Sequence, residues 1–396
     1  MVKNWAKKQC AKTTFFDTLV LIQISRNLLP EGIDELADCA AFLEEKHGSL
    51  EYFRTTDAAY DVDRLIQATR KDDDEVYIYG FSYGTFWLNR FLKITSQRMD
   101  GLIFDGGVGP ESACNSTADI IGIDAVGREL LQRCAQDTNC SSYLPDPEET
   151  LARLYQKLDA GHCPELGING KVFDSLVYQM LDDVELRDYI PSLIHRINRC
   201  EQRDIEAFTN LEDFISKEAA ENIAFLQHQS EFAQKHIIFN DLWDETELKF
   251  EEREELKETL FHLFDQYELD DYWDAWPSIY QDEFAGRIAS TDVPVLFLQG
   301  TLDPRTPNET ADPFGQSFDG PYQNYVHVYD AAHGVLWQSP LADYAEFSCG
   351  MDLVGQFLSD PKADLDTSCT YGVKPLNFNG EPLTTKALYG TDDVWN

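Results

Sequence analysis

Gly80-Phe81-Ser82-Tyr83-Gly84 constrains this chain more than any other five residues. The pentad follows an apolar stretch at residues 76–79 and opens an amphipathic one at Tyr83, so it reads as a strand-to-helix turn. A turn that tight needs strained backbone at its centre, and the flanking glycines remove side chains that would collide with the strand and the helix. Such a turn lifts the Ser82 hydroxyl above the end of a sheet. Around it the pattern alternates: helix at 56–70, strand at 76–79, helix from Tyr83, strand at 102–104. That is the rhythm of a parallel sheet.

Strand rhythm returns at 293–299 and 325–329. The stretch between, from about 111 to 284, reads as mostly helical, with helices at 148–158, 173–181 and 246–262. The expected fold class is therefore α/β, a mostly parallel sheet with helices on both faces, interrupted by a helical insertion. Three segments follow: 1–110 with the Ser82 turn, 111–285 as the insertion, and 286–396 closing the sheet. At 396 residues the chain can bury a sizeable core, and 43% hydrophobic against 26% charged residues is an ordinary globular balance. With 71 Asp and Glu against 32 Lys and Arg, the formal charge is -39. That field repels phosphate backbones and anionic bilayers, so neither nucleic acid nor a membrane is an expected partner. No run approaches the roughly 18 apolar residues of a membrane span. The acidic run at 241–258 reads as a solvated helix face.

Lys3, Lys7, Lys8 and Lys12 precede the apolar residues 15–24, the order in which a secretory signal begins. Asp17 and Gln23 interrupt that stretch, and Ser25-Arg26-Asn27 offers no small-x-small cleavage site, so a working signal is not expected. The nine cysteines, with no Cys-x-x-Cys pair and no His-rich tract, point to disulfides rather than a metal. Cys134 and Cys140 could close a short loop. The odd count leaves one thiol over, and Cys39 is the candidate for having lost a partner upstream. Sequons at Asn115, Asn139 and Asn308 would permit glycosylation of an extracellular chain.

A serine hydroxyl is a poor nucleophile at neutral pH and needs an imidazole to take its proton and a carboxylate to orient that imidazole. Asp303 follows the strand at 293–299 through Gly300-Thr301-Leu302, and His333 lies in Asp330-Ala331-Ala332-His333-Gly334 just past the strand at 325–329. Both are the C-terminal ends of strands, where open α/β sheets assemble their sites. His327 sits within a strand, and His47, His162, His195, His228, His236 and His262 fall in helices or the insertion. Asp330 rivals Asp303, but three residues from His333 it is poorly placed to approach the ring from a separate loop. The order Ser, Asp, His is that of α/β-hydrolases.

At these residues the chain resembles the α/β-hydrolase serine peptidases of the prolyl iminopeptidase and tripeptidyl aminopeptidase type. The resemblance rests on Tyr52-Phe53-Arg54-Thr55-Thr56-Asp57, on Gly-Phe-Ser-Tyr-Gly-Thr at 80–85, and on Leu102-Ile103-Phe104-Asp105-Gly106. Further on it rests on the segment 294–307, which contains Gly-Thr-Leu-Asp-Pro-Arg-Thr-Pro, and on Ala-Ala-His-Gly-Val at 331–335. It implies Ser82 as nucleophile, Asp303 as orienting acid and His333 as general base, with the Tyr83 backbone N–H as an oxyanion donor. It implies a secreted exopeptidase that acts on free N-termini of peptides beneath a helical lid, and a disulfide between Cys349 and Cys369. No metal or organic cofactor is called for. An esterase-like hydrolase would use the same three residues.

Relatives carry early strands and a Gly-rich loop that supplies the second oxyanion donor. Here Gly32, Gly48 and Gly80 are the only glycines before Ser82, and none are adjacent. A shortened or diverged member is therefore expected, with early strands incomplete and residues 18–24 as a possible substitute for one. Losing one oxyanion donor typically lowers the rate by about 100- to 1000-fold, so a weak or inert hydrolase-like protein is the remaining alternative.

Overall fold

The structure is a computed structural model; it describes residues 33–110, 116–221, 231–242, 276, 279–280, 283–343 and 346–396. The candidate strand at 18–24, the basic N-terminal segment, and the helix expected at 246–262 lie outside these residues. Among the described residues four strands form one sheet: β1 (Tyr77–Phe81), β2 (Gly101–Asp105), β3 (Val295–Gly300) and β4 (Gln323–Val328). They stand in the order β1-β2-β3-β4 and every pair is parallel. Each expected strand is present, displaced by one to two residues at its ends.

Central β2 and β3 are buried along their whole length, while β1 and β4 carry half-buried positions. That is why 102–104 and 295–298 read as continuous apolar runs rather than alternating ones. Alternation across the sheet still separates two cores. Leu102, Phe104, Val295 and Phe297 pack with Ala59, Leu88, Phe91, Phe314 and Phe318 on one face. Ile103, Leu296, Leu298, Val326 and Val328 pack with Val335, Leu353 and Phe357 on the other. Helices Thr55–Thr69, Tyr83–Ile94 and Asn308–Gly315 thus cover one face and helix Cys349–Ser359 the opposite one. The fold is α/β.

Between β2 and β3 the chain forms helices Ser116–Gln136, Thr138–Tyr143, Pro147–Asp159, Gly170–Leu181, Ile190–Arg199 and Gln202–Glu221. They share a separate hydrophobic cluster that includes Leu130, Leu154, Phe173, Leu193 and Phe208. Phe378, Leu388, Tyr389, Val394 and Trp395 belong to that cluster too. The tail of segment 286–396 therefore packs on the helices rather than on the sheet, because Trp395 stacks on Tyr143 and helix Pro382–Tyr389 lies against Gln202–Glu221.

Disulfides join Cys134 to Cys140, Cys163 to Cys200 and Cys349 to Cys369. Cys39 is disulfide-bonded as well, so it is not the unpaired thiol the odd count suggested. These bonds are compatible with an extracellular protein. No described helix is long and apolar enough to cross a membrane.

Candidate active site

The parallel register brings every strand's C-terminal end to one rim. Phe81 lies opposite Asp105, Asp105 opposite Leu298, and Gly300 opposite Val328. The residues that follow these ends are the ones the sequence singled out.

Ser82 directly follows β1 with φ 54° and ψ -125°, a positive-φ conformation that a non-glycine residue holds only under constraint. The constraint is visible in its partners. Ser82 N–H donates to Asp105 O at 2.8 Å, and Ser82 O accepts from Thr85 N at 2.8 Å and Thr85 Oγ1 at 2.7 Å. Gly80 is required, since a Cβ there would overlap the Gly84 carbonyl. Gly84 differs from expectation: a Cβ on it would meet no described atom within 4 Å, so only one of the two glycines is there to avoid a collision. Tyr83 occupies the first position of the helix, where backbone N–H groups have no acceptor within the helix.

Asp303 and His333 come together from separate loops. His333 Nδ1 lies 2.9 Å from Asp303 Oδ2 and 3.1 Å from Oδ1. Asp303 is wholly buried, and three further donors hold it: Arg305 N at 2.8 Å, Thr306 N at 2.9 Å and Thr306 Oγ1 at 2.7 Å. Burial would push the Asp303 carboxyl up, but the neighbouring imidazole and these hydrogen bonds outweigh it and hold it below the usual carboxylate range. Burial likewise pulls the His333 imidazole down, and the charge and hydrogen bond of Asp303, aided by Asp182, outweigh it and hold it above its ordinary value. Asp330 faces elsewhere: its Oδ1 accepts from Arg133 Nη1 at 2.5 Å.

The Ser82 turn reaches this couple through its neighbours. Its chain neighbour Phe81 packs on the His333 ring at 4.7 Å between centroids, and a Cβ on Gly106, the residue after its backbone partner, would lie 3.1 Å from that ring. No hydrogen bond joins Ser82 Oγ to the imidazole among the described residues; the Ser82 turn and the His333 loop meet through Phe81 and Gly106. The ring's Nδ1 is committed to Asp303, which leaves Nε2 as the atom available for proton transfer.

Four other histidines serve structure. His162 and His236 bond the carbonyls of Ile197 and Leu50, His195 that of Tyr143, and His327 bonds Asp312.

Two features escaped the sequence reading. Asp182, at the C-terminal end of helix Gly170–Leu181, pairs with Arg305 Nε at 2.9 Å, and its Oδ1 is buried without a hydrogen-bond partner. Asp241 is no solvated residue: its side chain is buried, accepts from Thr55 N and Oγ1 at 2.9 and 2.8 Å, and faces Arg90 Nη1 at 3.5 Å. Neither carries a sequence signal in a chain with 71 acidic residues. As for metals, Cys163, Glu165 and Cys200 form the one ligand-like group among the described residues, and its two sulfurs are bonded to each other.

Residues 263–369 match the family model described as TAP-like protein, an α/β-hydrolase family. The match spans Asp303, His333 and the Cys349–Cys369 bond, and it ends short of Ser82 on the other side. Among the curated proteins none matches the chain. The chain is thus similar to tripeptidyl aminopeptidase-like α/β-hydrolases.

Proposed function

We propose that this α/β-hydrolase-like chain is a secreted serine exopeptidase of the aminopeptidase type, with Ser82, His333 and Asp303 as its catalytic residues. The observation that carries the reading is the Asp303–His333 couple lying against Phe81 and Gly106, the residues that flank Ser82 and its backbone partner.

In this reading His333 Nε2 takes the Ser82 proton as Oγ attacks the peptide carbonyl. Negative charge develops on the carbonyl oxygen beside the Tyr83 N–H at the helix N-terminus, where the helix dipole adds to the hydrogen bond. His333 then passes the proton to the leaving amine, and a water activated by the same imidazole releases the acyl group. Asp303 keeps the ring in the tautomer this relay needs. Asp182 supports the preference for a free amino terminus. Its carboxylate comes from the helical segment that would serve as the lid, it acts electrostatically on His333, and one of its oxygens still lacks a donor. The three disulfides support secretion.

A fluorophosphonate probe tests the nucleophile: folded wild-type protein is labelled and Ser82→Ala is not. Chromogenic peptide amides test the substrate class. Amides with free amino termini are hydrolysed, and their N-acetylated counterparts at least about 100-fold more slowly, the scale expected when a buried charged partner is left unpaired. Turnover of short acyl esters alone would defeat the peptidase assignment, and absence of labelling would favour an inert protein.

A further inference from the structure

We infer that Asp105, at the end of β2, is a positioning residue that fixes the Ser82 turn and the His333 loop to one another. The inference rests on the reading of Ser82 and His333 given above. Asp105 holds both partners at once. Its main-chain oxygen accepts the Ser82 N–H at 2.8 Å. Its carboxylate accepts Val335 N at 2.8 Å and Leu336 N at 2.9 Å, the amides two and three residues beyond His333. Tyr79 Oη donates to the same carboxylate at 2.8 Å. The next residue, Gly106, has φ +70° and lies directly under the His333 ring, where any side chain would press on it.

A fully buried carboxylate is costly to keep unless donors surround it. Here three donors do, and two of them belong to the loop that carries the base. No hydrogen bond connects Ser82 Oγ with the imidazole among the described residues, so their spacing depends on this scaffold. A displacement of about 1 Å in such a pair can lower the rate by about 100-fold.

Protonation of Asp105 would convert one accepting oxygen into a donor and break an amide contact. The titratable groups facing it are Tyr79 from β1 and His333 from the loop after β4. Burial pushes its carboxyl up to about 6, against the hydrogen bonds of Leu336, Tyr79 and Val335 and the charge of His333. Loosening of the loop should therefore begin at mildly acidic pH.

Asp105→Asn copies the protonated shape and is the first variant. The expected result is a fluorophosphonate labelling rate, and a kcat on peptide amides, lower by about 10- to 100-fold at pH 8 with KM little changed. Wild-type activity falls below pH 6 more steeply than one proton allows, whereas Asp105→Asn keeps a one-proton limb. Hydrogen exchange quickens at Val335 and Leu336 in the variant. Should Asp105→Asn fail to fold, Tyr79→Phe removes one donor that holds the Asp105 carboxyl down, so the steep region moves to higher pH. Equal labelling rates, equal slopes and equal exchange in wild type and Asp105→Asn would overturn the inference while leaving Ser82 as nucleophile. Absence of labelling in wild type would remove the Ser82 reading, and this inference with it.

Discussion

Around His333 three charges decide one protonation state. A general base must be neutral, and this imidazole is held above its ordinary value of 6.5, so activity is expected to fall as pH drops through a limb lying above that value. Asp182 pushes the imidazole up and Arg305 pulls it down. Replacing them should move the limb in opposite directions: Asp182→Asn to lower pH, Arg305→Met to higher pH. The labelling rate of Ser82 measured from pH 5 to 9 reads both, without involving a substrate amino group. Shifts of the same sign in both variants would mean that the electrostatic assignment is wrong. The sequence made Ser82, Asp303 and His333 visible because each lies on the turn or loop after a strand, and strand ends are marked by apolar runs that stop at glycine or at polar residues. Asp105, Asp182 and Asp241 were not visible as site residues. An aspartate acquires its role from what packs around it, and nothing local distinguishes these three from their many acidic neighbours. Asp105 came nearest, as an acid that closes a wholly apolar strand.

At the scale of elements, the helix that begins at Tyr83 is fastened from outside the sheet. The π-helical turn Ile238–Leu242 brings Asp241 against Arg90 of that helix and against Thr55, whose Oγ1 lies 2.8 Å from Tyr83 Oη. Burial pushes the Tyr83 phenol up to about 12, so it stays a neutral hydrogen-bonding partner across the working pH range. Arg90 and Asp241 are both almost entirely removed from solvent. Removing the Asp241 carboxylate leaves the buried Thr55 N–H and hydroxyl without their acceptor, a loss that typically costs about 1 to 3 kcal/mol. Asp241→Ala is accordingly expected to lose about 1 to 3 kcal/mol in equilibrium urea unfolding. A loss within about 0.5 kcal/mol, the range of ordinary surface substitutions, would show that the contact does not fasten the helix. The sequence predicted the helix itself from Tyr83 onward, because propensity and apolar spacing are local. It misread Asp241 as exposed because the partner that buries it lies 151 residues away.

The described residues form a sheet with its covering helices and a second hydrophobic body built mainly from the helices between Ser116 and Glu221. The two are joined at the rim that carries His333. Arg133 pairs with Asp330 at 2.5 Å, Arg187 donates to the Asp330 carbonyl, and Val184 N donates to Gln338 Oε1 at 3.1 Å. The C-terminal residues close the second body: Arg196, fully buried, donates to the carbonyls of Val394 and Asp393, and Arg199 to that of Trp395. Of the three bonds Cys134–Cys140, Cys163–Cys200 and Cys349–Cys369, the first two lie in this body and the third on the sheet side, with sequence separations of 6, 37 and 20 residues. In the chain-entropy account a crosslink stabilises by restricting the unfolded chain, and these loop lengths correspond to about 2, 4 and 3 kcal/mol respectively. Double Cys→Ser variants should therefore lose stability in the order 163/200, then 349/369, then 134/140. The second half of the expectation concerns place. Cys163 and Cys200 flank helices Gly170–Leu181 and Ile190–Arg199, and the segment joining them carries Asp182, Val184 and Arg187. Their removal should also slow labelling of Ser82, through loss of the contacts at the rim, whereas removal of Cys134–Cys140 should not. Urea midpoints and labelling rates on the same three variants test both halves. An inverted stability order would point to strain or unfolded-state structure outweighing loop length, and unchanged labelling in the 163/200 variant would separate the second body from the function of the rim.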